Sequence, residues 1–231
     1  MSEQKEFDIS GKSVYIAIPS YMGHVPVDTA LTLSQLPLVL RDYGAQCLIH
    51  AERGNGVITE VRNKLISKFL ESGADYLFWL DDDIVFTVKD FMRVFALCTE
   101  KKVVGATYPS RDEFARFYLH PIDRYGPFEF DEMGLLKCKG LGMGFVCMSR
   151  EVVEAICKDK PTYKKAKDSE EHPDVFRNGV SGGEYWGEDI NFLYDLYALG
   201  YITYVDTDVH LQHVGTKYYD AKFTIKRQGE L

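Results

Sequence analysis

The order of its hydrophobic segments predicts an α/β protein built on a mostly parallel sheet with helices on both faces. Three observations carry this. The first half alternates strand and helix patterns as β-α-β-α-β-α-β, the signature of parallel strands joined by crossover helices. The third strand pattern, Tyr76 to Leu80, is apolar at every position, as a buried parallel strand is. The 231 residues, 45% hydrophobic and 27% charged, describe an ordinary globular chain, long enough for one sizeable core.

The elements follow in order. Val14 to Ile18 is a β-branched run stopped by Pro19-Ser20. Thr29 to Tyr43 reads as a helix closed by Gly44, with a kink expected at Pro37. Gln46 to His50 is a second strand. Val57, Val61, Leu65 and Phe69 recur every fourth residue and give a helix face, with Gly73 at the C-cap. The apolar strand Tyr76 to Leu80 runs into Asp81-Asp82-Asp83. Val88 to Cys98 is helical and Val103 to Tyr108 strand-like.

Beyond Tyr108 the pattern changes. Phe128 to Phe130, Leu135 to Cys138 and Phe145 to Met148 are short and close together, which predicts antiparallel pairing. A helix follows at Glu151 to Cys157. The polar stretch Lys158 to Gly183 is long for a connection inside a compact domain, a mark of functional loops. A last helix, Glu188 to Leu199, ends at Gly200. Strands are expected at Ile202 to Val205 and Val209 to His213, and a basic tail, Lys217 to Arg227, is expected to act as an arm or lid. The chain therefore reads as one domain over 1–231, with a nucleotide-binding half to about residue 108 and an acceptor-side half from 109.

Composition excludes several classes. The net charge of −8 disfavours general binding to a phosphate backbone, although the basic tail keeps a nucleic-acid acceptor open. Five cysteines with no C-x-x-C pair fit reduced thiols and a cytoplasmic setting. The polar N-terminus lacks a signal-peptide core, and no apolar run approaches a transmembrane length, so any membrane contact is peripheral.

The acidic triplet carries the chemistry. Ligands of open α/β sheets bind at the carboxyl ends of the strands, where Asp81 to Asp83 fall. Three adjacent carboxylates repel one another unless a cation neutralises them, and oxygen ligands of this kind suit Mg²⁺ or Mn²⁺. Such an ion holds a diphosphate and stabilises it as a leaving group.

An apolar strand ending in D-x-D resembles the metal and nucleotide-sugar motif of GT-A-fold glycosyltransferases. Other pieces fall in the family's order: Ile18-Pro19-Ser20-Tyr21 after the first strand, Arg62-Asn63 in the helix before the triplet, and the glycine-rich Gly140-Leu141-Gly142-Met143-Gly144-Phe145. Gly187-Glu188-Asp189 resembles the E-D motif, and His213-Val214-Gly215 the late metal-binding histidine. The resemblance spans Val14 to Lys217. It implies a GT-A-like Rossmann-type sandwich and a hexosyl- or pentosyltransferase using a nucleoside-diphosphate sugar, with a UDP-sugar favoured, and Mn²⁺ or Mg²⁺. It assigns Pro19, Ser20, Tyr21, Arg62, Asp81, Asp82 and Lys217 to the donor and Asp81, Asp83 and His213 to the metal. Glu188 or Asp189 becomes the catalytic base, and Gly142, Met143, Gly144 and Trp186 face the acceptor.

The same residues read physically. Arg62 offers a planar fork to a phosphate. Glu188 and Asp189 begin a helix, where a carboxylate is stabilised as an anion, either as a plain helix cap or as a base. His210 and His213 are three apart on a strand pattern and face opposite ways, so only one reaches the site; His213 is the choice. Members with a retaining mechanism carry H-x-x-G-x-x-K here. This chain has H-x-G-x-K, which leaves the stereochemistry open. Asp81-x-Asp83-x-Val85 also fits a haloacid-dehalogenase-type phosphohydrolase motif, although two strand-helix units precede it. A nucleotide-binding module without catalysis is the third reading.

Overall fold

The computed structural model describes residues 7–114, 116–165, 169–181, 183–215 and 217–224. Its centre is an eight-stranded sheet. In chain order the elements are β1 (Ser13–Ser20), α1 (Val27–Asp42), β2 (Gln46–Arg53), α2 (Ile58–Ser72), β3 (Tyr76–Leu80), β4 (Ile84–Val85), α3 (Val88–Lys101) and β5 (Val103–Gly105). Then come β6 (Leu119–Pro121), β7 (Leu136–Leu141), β8 (Phe145–Ser149), α4 (Arg150–Cys157), β9 (Thr162–Tyr163) and β10 (His172–Pro173). The last are β11 (Gly179–Ser181), β12 (Glu184–Trp186), α5 (Glu188–Ala198), β13 (Thr203–Val205), β14 (Gln212–Val214) and β15 (Tyr218–Asp220).

The central order is β2-β1-β3-β8-β5-β13-β7-β6, with only β7 and β8 running against the other six. Small antiparallel sheets pair β9 with β10, β11 with β12, and β14 with both β4 and β15. This is the predicted class of fold, mixed α/β with a mainly parallel centre.

Side chains alternate across the pleat, which explains the fully apolar β3. Leu77 and Trp79 enter a core that also holds Leu65 and Phe69 of α2, Val153 of α4 and Phe192 of α5. Tyr76, Phe78 and Leu80 enter the opposite core with Leu36 and Leu40 of α1 and Phe91 and Phe95 of α3. The sheet is thus covered on both sides. Gly73 caps α2 at φ 72°, where a side chain would be strained. The Thr29 and Thr32 hydroxyls of α1 donate to the Ile84 and Phe86 carbonyls at 2.7 and 3.1 Å, pinning the chain just after the acidic triplet.

Several expectations are corrected. Helix α1 begins earlier than expected, at Val27, and contains Pro37. Phe128 to Phe130 is not a strand; Phe130 makes a single bridge to Leu136. β7 and β8 do not pair, because β5 and β13 lie between them. The reason is burial: Phe145 and Cys147 point into one core, Val146 and Met148 into the other, and a strand buried on both faces belongs inside a sheet. The strand expected at Val209 to His213 is shorter and later, and the 158–183 stretch carries three short strands. Lys226 and Arg227 of the basic tail lie outside the described residues. Among the described residues no helix is long and apolar enough to cross a membrane.

Candidate active site

The carboxyl ends of β1 and β3, neighbours in the sheet, open into a cleft of about 800 Å³. Pro19, Ser20 and Tyr21 leave β1 on one wall; Arg62 of α2 and Asp81, Asp82 and Asp83 form the floor; Glu188 and Gly215 close the far side. Backbone bonds fix the triplet at both ends. The Asp81 amide donates to the Gly144 carbonyl at 3.0 Å, and the Val214 amide donates to the Asp83 carbonyl at 2.7 Å.

Each carboxylate has a different partner. Asp81 accepts from the Arg62 guanidinium at 2.8 Å. Arg62 is only 3% exposed, with its guanidinium carbon 5.2 Å from the Trp79 ring and 5.7 Å from the Phe176 ring. Its Nε faces Glu188 at 3.5 Å, and neither Nε nor Nη1 completes a hydrogen bond. Burial raises the Asp81 carboxyl above the ordinary range even against the pull of Arg62. Asp82 accepts from the Ser20 hydroxyl at 2.5 Å, and burial raises it too.

Asp83 receives two groups on the same oxygen, Nη1 of Arg111 at 2.9 Å and Nε2 of His213 at 3.2 Å. The other ring nitrogen of His213, Nδ1, lies 2.9 Å from the Pro109 carbonyl. A carbonyl only accepts, so Nδ1 donates. In the neutral ring the Nε2 lone pair then faces the carboxylate, and two acceptors this close need a proton or a cation between them. Asp83 and His213 therefore fit a divalent ion as one oxygen and one nitrogen ligand, oriented by the Pro109 carbonyl behind the imidazole. Asp81, expected as a third ligand, lines the same cleft and gives one of its oxygens, Oδ1, to Arg62. Among the described residues no group of three or more His, Cys, Asp or Glu side chains is gathered for a metal.

Glu188 lines the cleft, and Asp189 lies beside it at the start of α5. The Asp189 carboxyl is pushed up to about 6, first by burial and then by Glu188.

Other expected residues fall elsewhere. Gly142, Met143 and Gly144 are buried, and a Cβ on either glycine would lie 2.7 Å from the Tyr108 hydroxyl. Those glycines make room for Tyr108, whose hydroxyl accepts from the Gly144 amide at 3.1 Å. Lys217 is exposed and sits over the Tyr219 ring, outside the cleft that its neighbours Gly215 and Tyr218 line. Trp186 packs against His120 and Tyr194 beside a smaller cavity. His213 is brought to the triplet, whereas His210 pairs with Asp220 at 2.6 Å.

Tyr108, Arg111 and His24 were not anticipated. Tyr108 packs edge-on to His213, with ring centroids 5.0 Å apart, and burial raises its hydroxyl well above the phenol range. Arg111 and His24 line the cleft. The signal for Tyr108 was available, since it ends the strand pattern Val103 to Tyr108 and so falls at the carboxyl end of another parallel strand, the same rule that singled out Asp81.

An open α/β sheet with a polar cleft beyond the ends of its parallel strands is the arrangement in which such sheets bind ligands. No protein-family model matches the chain, and no curated protein matches it. Solved structures do. A197 from STIV is similar with a TM-score of 0.52 and 19% identity, over 94% of this chain and 99% of that one, which shows a shared fold. GalNAc-T7, solved with UDP, GalNAc and Mn²⁺, matches at a TM-score of 0.45 and 10% identity, over 91% of this chain but 44% of that one. The 4-diphosphocytidyl-2C-methyl-D-erythritol synthase from Anaerococcus prevotii matches at 0.38 and 12% identity, over 69% and 82%. Neither of these two weaker likenesses supports a functional assignment.

Proposed function

We propose that the protein is a glycosyltransferase that moves a sugar from a nucleoside-diphosphate sugar to an acceptor, using Mn²⁺ or Mg²⁺ held by Asp83 and His213. The observation that carries this is the His213 Nε2 facing Asp83 with its other nitrogen committed to a carbonyl. When bound, the ion neutralises the charge that develops on a departing diphosphate. Arg111, half exposed in the cleft, offers charge-assisted hydrogen bonds to phosphate oxygens, and the buried Arg62 adds positive charge beneath them. Tyr21, exposed beside Gly56 on the cleft wall, gives an aromatic face to the nucleotide base. Asp82, fixed by Ser20, accepts from a sugar or ribose hydroxyl.

Asp189 is the base that takes the proton from the acceptor hydroxyl. Glu188 faces Arg62, whereas Asp189 feels Arg62 only at longer range and titrates near 6, so it is ionised at neutral pH yet basic enough to accept a proton. Inversion at the anomeric carbon is the outcome such a base implies. The phosphohydrolase reading is weaker, because it needs Asp81 as a nucleophile and Arg62 occupies that carboxylate.

The test is calorimetric titration of UDP with Mn²⁺ into the wild type, Asp83→Asn and His213→Ala, alongside release of UDP from a panel of UDP-sugars. Metal-dependent UDP binding lost in both variants supports the reading. UDP binding that ignores Mn²⁺, or survives in both variants, refutes it.

A further inference from the structure

Beyond the cleft lies a second cavity of about 190 Å³, walled by β6, by Lys139 of β7, by Arg124 and by Tyr194 of α5. The sequence builds it deliberately. His120 sits opposite Gly140 in the β6–β7 pairing, and a Cβ on Gly140 would lie 3.2 Å from Ile190 and 3.3 Å from Tyr194. Glycine there lets α5 close onto β7. His120 Nδ1 then meets the Tyr194 hydroxyl at 3.1 Å, and Trp186 stands 5.2 Å from the His120 ring and 5.7 Å from Tyr194.

The charge of this cavity is opposite to that of the cleft. Its lining holds Arg124 and Lys139 and no carboxylate, in a chain of net charge −8. Glu184 approaches Arg124 only to 3.9 Å, and Lys139 lies over the Tyr197 ring. The volume suits one sugar-sized ring, with aromatic walls for its apolar face and two cations for an acidic group. Tyr194 is five residues beyond Asp189 on α5, about 7.5 Å along the helix axis.

We propose that this cavity is an acceptor subsite for an acidic sugar unit, with its carboxylate or phosphate held by Arg124 and Lys139 and its ring against Tyr194 and His120, the two aromatic side chains that Trp186 backs. The role as acceptor subsite rests on the transferase reading; the binding of an acidic sugar does not.

The chain has two tryptophans, and they report on the two sites separately. Trp79 lies against Arg62 under the cleft, and Trp186 beside the second cavity. Fluorotryptophan-labelled protein is titrated by fluorine NMR with methyl glucuronide, a hexose phosphate and methyl glucoside, and separately with UDP plus Mn²⁺. The expected result is a saturable shift of Trp186 by one or both acidic probes, at least about tenfold weaker for the neutral glucoside. Arg124→Gln with Lys139→Gln should abolish that preference, and the two acidic arms distinguish carboxylate from phosphate. A silent Trp186, equal response to the neutral probe, or a preference that survives the double variant overturns the proposal. Trp79 answering UDP while Trp186 stays silent sinks the subsite alone. The reverse leaves an acidic-sugar site and sinks the transferase reading.

Discussion

Asp83 and Arg111 share a contact that has to be given up when a cation arrives. Arg111 holds the same Asp83 oxygen that faces His213, and its side chain is half exposed, so it is a resident counter-ion that can swing away. Arg111→Ala should tighten binding of Mn²⁺ alone by about three- to tenfold and weaken binding of UDP with Mn²⁺, because the same guanidinium serves the phosphates. Manganese electron paramagnetic resonance, with and without UDP, reads both changes; unchanged metal affinity would remove Arg111 from the site. Asp189 gives a second prediction. Its carboxyl titrates near 3.8 unfolded and about 6 folded, so between those values the folded chain binds more protons and loses stability as pH rises. Asp189→Asn should raise stability above pH 6 by about 1–3 kcal/mol, with the gain vanishing by about pH 4. The same variant should lose roughly 10²–10⁴-fold in turnover, and the wild-type rate should fall as pH drops through about 6. Denaturation and rate profiles against pH check each half. The acidic triplet and His213 were legible in the sequence because a strand end and a late histidine have a pattern. Arg111 was not, since its role comes from a fold contact that no local spacing announces.

At the scale of elements, β3, α2 and α5 were readable because period and punctuation agreed: five apolar residues, a four-residue repeat ending at Gly73, and a helix closed by Gly200. β7 and β8 were misread as close-paired, because short spacing speaks for a hairpin while two-sided burial speaks for the interior, and burial wins. The glycines between them were read as access for a sugar, but Gly142 and Gly144 serve Tyr108. Gly144→Ala would put a methyl group 2.7–2.9 Å from the Tyr108 hydroxyl and ring and should cost about 1–3 kcal/mol. Gly179→Ala, with nothing within 4 Å, should change stability by less than about 0.5 kcal/mol. Urea denaturation of the pair decides it, and equal effects would mean that Tyr108 yields easily.

Across the whole molecule the charges are segregated. The cleft gathers Asp81, Asp82, Asp83 and Glu188 against Arg62 and Arg111, an unfavourable place for a diphosphate without an added cation. Chelation of divalent ions should therefore weaken UDP binding by at least about tenfold, and restoring Mn²⁺ should recover it. Calorimetry in chelator and after back-titration measures this, and a chelator-insensitive affinity would show that the two arginines suffice.

The position of β8 has a consequence for how the chain becomes a protein. β8 lies between β3 and β5, yet it is made after both, so the first three strand-helix units emerge with a gap in their sheet. Until β8 arrives, the Asp81 amide lacks its Gly144 acceptor; until β14 arrives, Asp83 lacks both His213 and the Val214 amide. Strand pairing over such separations is slow because loop closure must come before the contacts that reward it. A chain stopped near residue 108 would expose the inner edge of β3, leave β5 without a partner on either side, and associate with itself. The acidic loop is therefore assembled last, and the competence to bind a ligand reports that the chain has finished folding.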